Sequence, residues 1–105
     1  MIENIQSQYD KLYYIGNLDL LKKRKISIVG SRHPNSYSKQ MISKLASRLS
    51  EVGICIVSGG AMGIDAIAHK AAKYNNTIMV AGTGLDKQYP AINKNMINQI
   101  ENNGL

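Results

Sequence analysis

Three short stretches hold the residue types from which chemistry can be built: "GSRHPNS" (Gly30 to Ser36), "SGGAMG" (Ser58 to Gly63) and "GTGLDKQYP" (Gly82 to Pro90). Each directly follows an apolar, β-branched run. Each supplies a hydroxyl (Ser31, Ser58, Thr83) beside glycines, whose missing side chains let main-chain N–H groups come close to a ligand. Oriented N–H groups and a following helix N-terminus favour anions. Arg32 adds a permanent positive charge with a fork that matches two phosphate oxygens. The chemistry this combination suits is phosphate binding, and Gly30, Ser31, Arg32, His33, Ser58, Gly59, Gly60, Gly63 and Thr83 are the candidate contacts.

Other chemistries find less support. Asp65 and His69 stand four apart and so share a helix face. No serine, cysteine or metal partner completes a catalytic set with them, and they read as a stabilising pair, Asp65 near the helix N-terminus being free to bond loop N–H groups. His33 is the second of two histidines, too few for a metal site, and reads as a donor beside Arg32. Cys55, the single cysteine, lies between Ile54 and Ile56 and reads as a small core hydrophobe. It excludes a disulfide framework. A dinucleotide fingerprint is absent, because Gly-Ser-Arg-His-Pro follows the first strand where G-x-G-x-x-G would be needed, and no P-loop pattern occurs. Asp86 has the distance from Gly63 of a ribose-binding acid, but it belongs to a turn-rich loop that explains it without a ligand. No catalytic residue and no cofactor is expected.

The elements that must position these loops follow from periodicity. "LYYIGN" (12–17) reads as a short strand with a Gly-Asn turn, after a loose or briefly helical lead-in over 1–10. "LDLLKKRK" (18–25) reads as a helical turn running into a basic stretch. "ISIVG" (26–30), "ICIVSG" (54–59) and "TIMVAG" (77–82) are apolar runs of the kind that parallel strands buried on both faces show. Between them, Asn35 or Ser36 caps a helix with Ile42, Leu45, Ala46, Leu49 and Val52 on its inner face and Gly53 as its stop. A second helix from about Gly63 to Tyr74 presents Ile64, Ile67, Ala68, Ala71 and Ala72. A third, near 92–102, carries Ile92, Met96, Ile97 and Ile100. The order β-α-β-α-β-α predicts an α/β fold, a Rossmann-like three-layer sandwich on a parallel sheet, in which all three loops leave the carboxyl edge where ligands bind.

Composition agrees with an anionic partner. The chain has 105 residues, 44% hydrophobic, enough for one domain with a mainly aliphatic core, since it lacks Phe and Trp. Thirteen Lys and Arg against seven Asp and Glu give a formal charge of +6, and the pI is near 9.6, pointing to nucleic acid. "KKRK" (22–25) is the densest basic run, but it precedes the first strand. Five residues at about 3.3 Å each put it roughly 16 Å from Arg32, so it reads as a solvated turn at the opposite edge. No signal-peptide pattern or membrane-length apolar run occurs, which predicts a cytoplasmic protein with no membrane partner.

"YYIGN", "ISIVGSRHPNSYSKQ", "IVSGGAMGIDAIAH" and "TIMVAGTGLDKQYP", in this order and spacing, resemble the DNA-processing protein A (DprA/Smf) family over residues 12–105. The resemblance implies a Rossmann-like domain that binds single-stranded DNA without sequence preference and catalyses no reaction. It also implies a part in natural transformation and recombination, in which incoming single strands are protected and passed to the RecA recombinase, and a homodimer in the full-length family protein. The family's phosphate-gripping arginine loop matches Gly30, Ser31 and Arg32, and its second glycine loop matches Ser58, Gly59, Gly60 and Gly63. The family's domain continues beyond the motifs seen here, so 1–105 reads as one domain of this type cut short on its C-terminal side, with 1–20 as a lead-in. The alternative is a nucleotide-ligand-binding or phosphoribohydrolase-like protein of Rossmann type. The hydrolase pattern P-G-G-x-G-T is missing, and Glu3, Glu51 and Glu101 lie in none of the carboxyl-edge loops.

Overall fold

The computed structural model describes residues 2–6, 11–82, 85, 88 and 90–105. The regular part is a three-stranded parallel sheet in the order β3-β4-β5, formed by Lys25–Ser27, Cys55–Ser58 and Thr77–Met79. Ile26 pairs with Ile56, which in turn pairs with Thr77. Helix α1 (Ser36–Glu51) joins β3 to β4, and α2 (Ile64–Ala72) joins β4 to β5. Because successive strand residues point to opposite faces, β4 feeds two cores. Ile56 packs with Ile28, Ala46, Ile64, Ala68 and Ala72 beneath α1 and α2, while Cys55 packs with Leu20 and Ile78 on the other face. Helix α3 (Lys94–Asn103) contributes Ile97 and Ile100, both buried. Helices on one face and a second core on the other complete the three layers of a Rossmann-like arrangement.

Local signals account for most boundaries. The Asn35 side chain accepts from Ser38 N at 2.8 Å and caps α1, satisfying a donor that the first turn leaves unpaired. Gly53 follows the Val52 cap with φ +86°, as expected of a helix stop. Helix α2 stops at Ala72, two residues short of Tyr74, because Tyr74–Asn76 tightens into a 3-10 turn. Helix α3 follows another such turn, Ala91–Asn93.

Four expectations need correction. The lead-in is a strand: β1 (Glu3–Gln6) pairs antiparallel with β2 (Lys11–Tyr14) in a separate two-stranded sheet. Its polar residues hid this, since an exposed hairpin buries too little to force alternation. β3 is not buried on both faces, since it is an edge strand, and Ile26 is 41% exposed. Leu45 and Val52 also fall outside the inner face of α1, at 48% and 73% exposed; α1 packs chiefly against α2 and the central strand β4, through a narrower stripe of Ile42, Ala46 and Leu49. Ile92 is 77% exposed and precedes α3 rather than packing with it.

Candidate nucleic-acid interface

The carboxyl ends of β3 and β4 bring the first two glycine-bearing loops together. After β3 the chain passes through Ile28 and Val29 to Gly30, Ser31, Arg32 and His33, the last four all solvent-facing. Ser31 Oγ accepts from His33 N at 3.0 Å, a local turn that leaves the hydroxyl proton free to donate outward. No described carboxylate pairs with Arg32; the single ion pair among the described residues joins Lys22 to Asp19. Among the described residues the Arg32 guanidinium has no partner, and the residue is exposed.

The second loop is arranged differently. Ser58 is 3% exposed, and its hydroxyl donates to Ile28 O at 2.6 Å, tying β4 to the end of β3. Gly59 N donates to the Asp65 carboxylate at 2.9 Å, so one of the N–H groups suited to a phosphate is held by the protein's own anion. Gly60 is buried, and its carbonyl accepts from Asn93 Nδ2 at 3.1 Å. Gly63 precedes α2 at φ +82°, where a side chain is strained. A Cβ there would also lie 2.4 Å from Ser31 O and 2.7 Å from the Arg32 backbone. The first helical N–H, that of Ile64, donates to Ser31 O at 3.0 Å. At Gly30 a Cβ would lie 3.0–3.1 Å from the Ile64 side chain, so the glycine leaves room for it. The N-terminus of α2 is thus turned onto the arginine loop and clamps it.

Sequence reasoning named Ser58, Gly59 and Gly63 for contact with a ligand; in the fold their polar groups and contours meet protein. Ser31, Arg32 and His33 remain exposed at the carboxyl edge. Thr83, like Asp86 and Tyr89, lies outside the described residues. Asn93 was not foreseen: an asparagine 33 residues from Gly60 carries no local mark of that contact.

Asp65 and His69 share a helix but not a partner. His69 is fully buried, with Nδ1 2.6 Å from Thr77 Oγ1, and that hydroxyl donates to Ile56 O at 3.0 Å. A hydroxyl that gives its proton to Ile56 must accept from His69, so the imidazole carries a proton on Nδ1, and burial keeps the ring neutral. Its Nε2 is buried without a partner among the described residues. Burial lowers the His69 pKa to about 4, against a smaller upward pull from Asp65. The pair stabilises α2 by two separate bonds, Asp65 to the loop and His69 to β5. Burial also pushes the Cys55 thiol up, opposed by Lys23 and Lys25. A buried thiol kept protonated is a core group, as expected.

The three lysines of the basic run at the amino edge have partners within the protein. Lys22 meets Asp19 at 3.5 Å, and Lys25 Nζ donates to Leu21 O and Lys23 O at 2.7 and 2.9 Å. Lys23 Nζ donates to Asn76 Oδ1, and Asn76 in turn donates to Ser50 Oγ and Ile54 O. These contacts fasten the basic turn to the base of the sheet. A hollow of about 620 Å³ between the hairpin, β5 and α3 is lined by Leu18, Leu21, Ile78, Ile97 and Ile100 among others. That apolar lining does not suit a phosphate. Among the described residues no group of His, Cys, Asp and Glu could hold a metal ion, and no helix is long and apolar enough to cross a membrane.

Comparison with known proteins places this geometry in context. A family model described as DNA recombination-mediator protein A matches residues 1–105. The chain is 47% identical over 96 residues to the DNA processing protein DprA of Streptococcus pneumoniae, covering 90% of this chain and 34% of that protein. It is 39% identical over 111 residues to Protein Smf of Synechocystis, covering 100% of this chain and 28% of the relative. A solved structure describing the single-stranded DNA binding mode of DNA processing protein A from Helicobacter pylori superposes with a TM-score of 0.92 at 36% identity, over 99% of this chain and 53% of that one. The X-ray structure of the Streptococcus pneumoniae protein superposes with a TM-score of 0.81 at 44% identity, over 90% of this chain and 34% of that one. The chain thus spans about a third of the length of the curated relatives it matches.

Proposed function

The chain belongs to the DNA recombination-mediator protein A family, and from that premise we propose that its carboxyl-edge shelf binds single-stranded DNA without regard to sequence. One observation carries the reading: Arg32 stands exposed on a loop that a neighbouring helix N-terminus clamps from behind, through Ile64 N on Ser31 O at 3.0 Å. A guanidinium held on a fixed backbone is suited to a phosphodiester, a contact that carries no sequence information. Gly30, Ser31 and His33 join it as phosphate contacts; Ser58, Gly59, Gly60 and Gly63 act from behind, as the clamp. The proposed role is binding rather than catalysis: the features described on this shelf are the exposed arginine, the Ser31 hydroxyl and the loop main chain, groups that hold a phosphodiester. For the whole protein we extend this to shielding incoming single strands in the cytoplasm during natural transformation, passing them to the RecA recombinase, and acting as a homodimer.

Fluorescence anisotropy with labelled oligo-dT and a duplex of equal length tests the proposal. The single strand should bind more tightly, with a log–log salt slope of roughly −0.7 per phosphate and about two to four phosphates engaged. Equal affinity for the two, or a salt-independent affinity matched by mononucleotides, would favour a nucleotide-ligand protein.

A further inference from the structure

We infer that the outer face of α1 is a second stretch of the same single-strand track, carrying the nucleic acid away from the Arg32 shelf. The inference rests on the shelf reading and extends it. Helix α1 begins four residues after Arg32, capped by Asn35, so its first turn adjoins the arginine loop. At about 100° per residue, Tyr37, Met41, Lys44 and Arg48 fall within an arc of about 60°. The inner side is fixed by buried Ala46 and by Ser50 Oγ, which donates to Ala72 O on α2 at 2.6 Å. The stripe therefore faces away from the sheet, and all four residues are exposed, Tyr37 at 65% and Met41 at 53%.

Its chemistry selects the occupant. An exposed aromatic followed by a thioether offers a flat apolar platform for bases, and Lys44 and Arg48 offer cations for phosphates. Neither cation is paired with a described carboxylate, and Glu51, in the last turn, is the single acid of α1. From Tyr37 to Arg48 the helix rises about 16 Å, room for roughly two or three further nucleotides at the extended repeat of a single strand. A protein partner would have to bury these cations without counter-charges on this face.

The test uses the 105-residue chain with dT4, which fills the shelf, and dT15, which reaches along α1. The double variant Lys44→Ala/Arg48→Ala should bind dT4 like wild type. Its affinity for dT15 should fall severalfold at low salt, with a log–log slope shallower by about 1.4. Tyr37→Ala should weaken dT15 binding about tenfold and Tyr37→Phe should restore it, since stacking needs the ring and not the hydroxyl. All of these positions are exposed, so thermal midpoints should stay with wild type. Arg32→Ala serves as the reference: if it leaves dT4 binding unchanged, the shelf reading fails. If Arg32→Ala weakens dT4 but the double variant binds dT15 with wild-type affinity and slope, or loses both lengths equally, the α1 track fails alone. If the variants instead convert a sedimenting dimer to monomer with the slope unchanged, the face is a contact between protein copies and the inference is overturned.

Discussion

Arg32 and Gly59 each lie just beyond a neighbouring parallel strand, each in a loop with glycine and a serine hydroxyl, yet they meet different surroundings. Arg32 is exposed and unpaired among the described residues, and Ser31 keeps its hydroxyl proton for an outside acceptor. Gly59 has its N–H on the Asp65 carboxylate, and its neighbour Ser58 has its hydroxyl on Ile28 O. The difference follows from strand order. β3 is an edge strand and β4 is central, so the loop after β4 is enclosed while the loop after β3 looks out. A glycine-rich βα loop can serve a ligand directly, or can serve the loop that does.

If that division holds, the largest effect should come from the enclosed loop. Gly63→Ala combines positive φ with a Cβ 2.4 Å from Ser31 O, a strain plus overpacking worth about 3 kcal/mol or more. Chemical denaturation should show that loss, and single-strand binding should collapse with it because the arginine loop loses its support. Normal stability together with normal binding would break the clamp.

Acid should loosen the enclosed region while leaving the charge of Arg32 intact. Above about pH 6.5, His69 is neutral in both folded and unfolded chains and adds no pH dependence. As pH falls below that value, the unfolded chain takes up a proton that the buried imidazole, with a pKa of about 4, refuses. Stability should therefore decline between pH 6.5 and 4, by about 3 kcal/mol in all, and this part should level off below pH 4. Urea midpoints for wild type and His69→Gln measure it; an equal decline in both would assign the effect to other groups.

Arg32→Ala sharpens the contrast from the exposed side. It should weaken single-strand binding by roughly 1.5–3 kcal/mol, the range for a charge-assisted hydrogen bond, with the thermal midpoint nearly unchanged. Arg32→Lys should recover part of the loss, because an ammonium lacks the two-pronged fork. Ser58→Ala should do the reverse, costing about 1 kcal/mol of stability for the lost bond to Ile28 O while leaving the salt slope alone. The smallest effect belongs to the amino edge. Lys22→Ala with Arg24→Ala should change binding less than Arg32→Ala, since charges beyond a Debye length of about 8–10 Å are screened. A larger loss there would move the site from the arginine loop to the basic turn.

Much of this was legible in the residues themselves. Asn35 and Gly53 mark the ends of α1 through local bonds and local φ, and the apolar runs around Ile26, Ile56 and Ile78 mark the strands. The parallel order follows from crossovers long enough to hold helices. The exposed hairpin of β1 and β2, by contrast, left no alternation to read, and Leu45 and Val52 match the helical period without being buried, because periodicity gives a face but not how much of it a neighbour covers.

The amino-acid sequence by itself determined the α/β order and the exit of the first two glycine loops from the carboxyl ends of their strands, because propensity, capping and periodicity act over a few residues. Only the tertiary structure decided which glycine loop is exposed and which packs behind it. That choice depends on contacts across the sheet, Ile64 N to Ser31 O, Ser58 to Ile28 and Asn93 to Gly60, which join residues about 30 apart in the chain and leave no local trace in it.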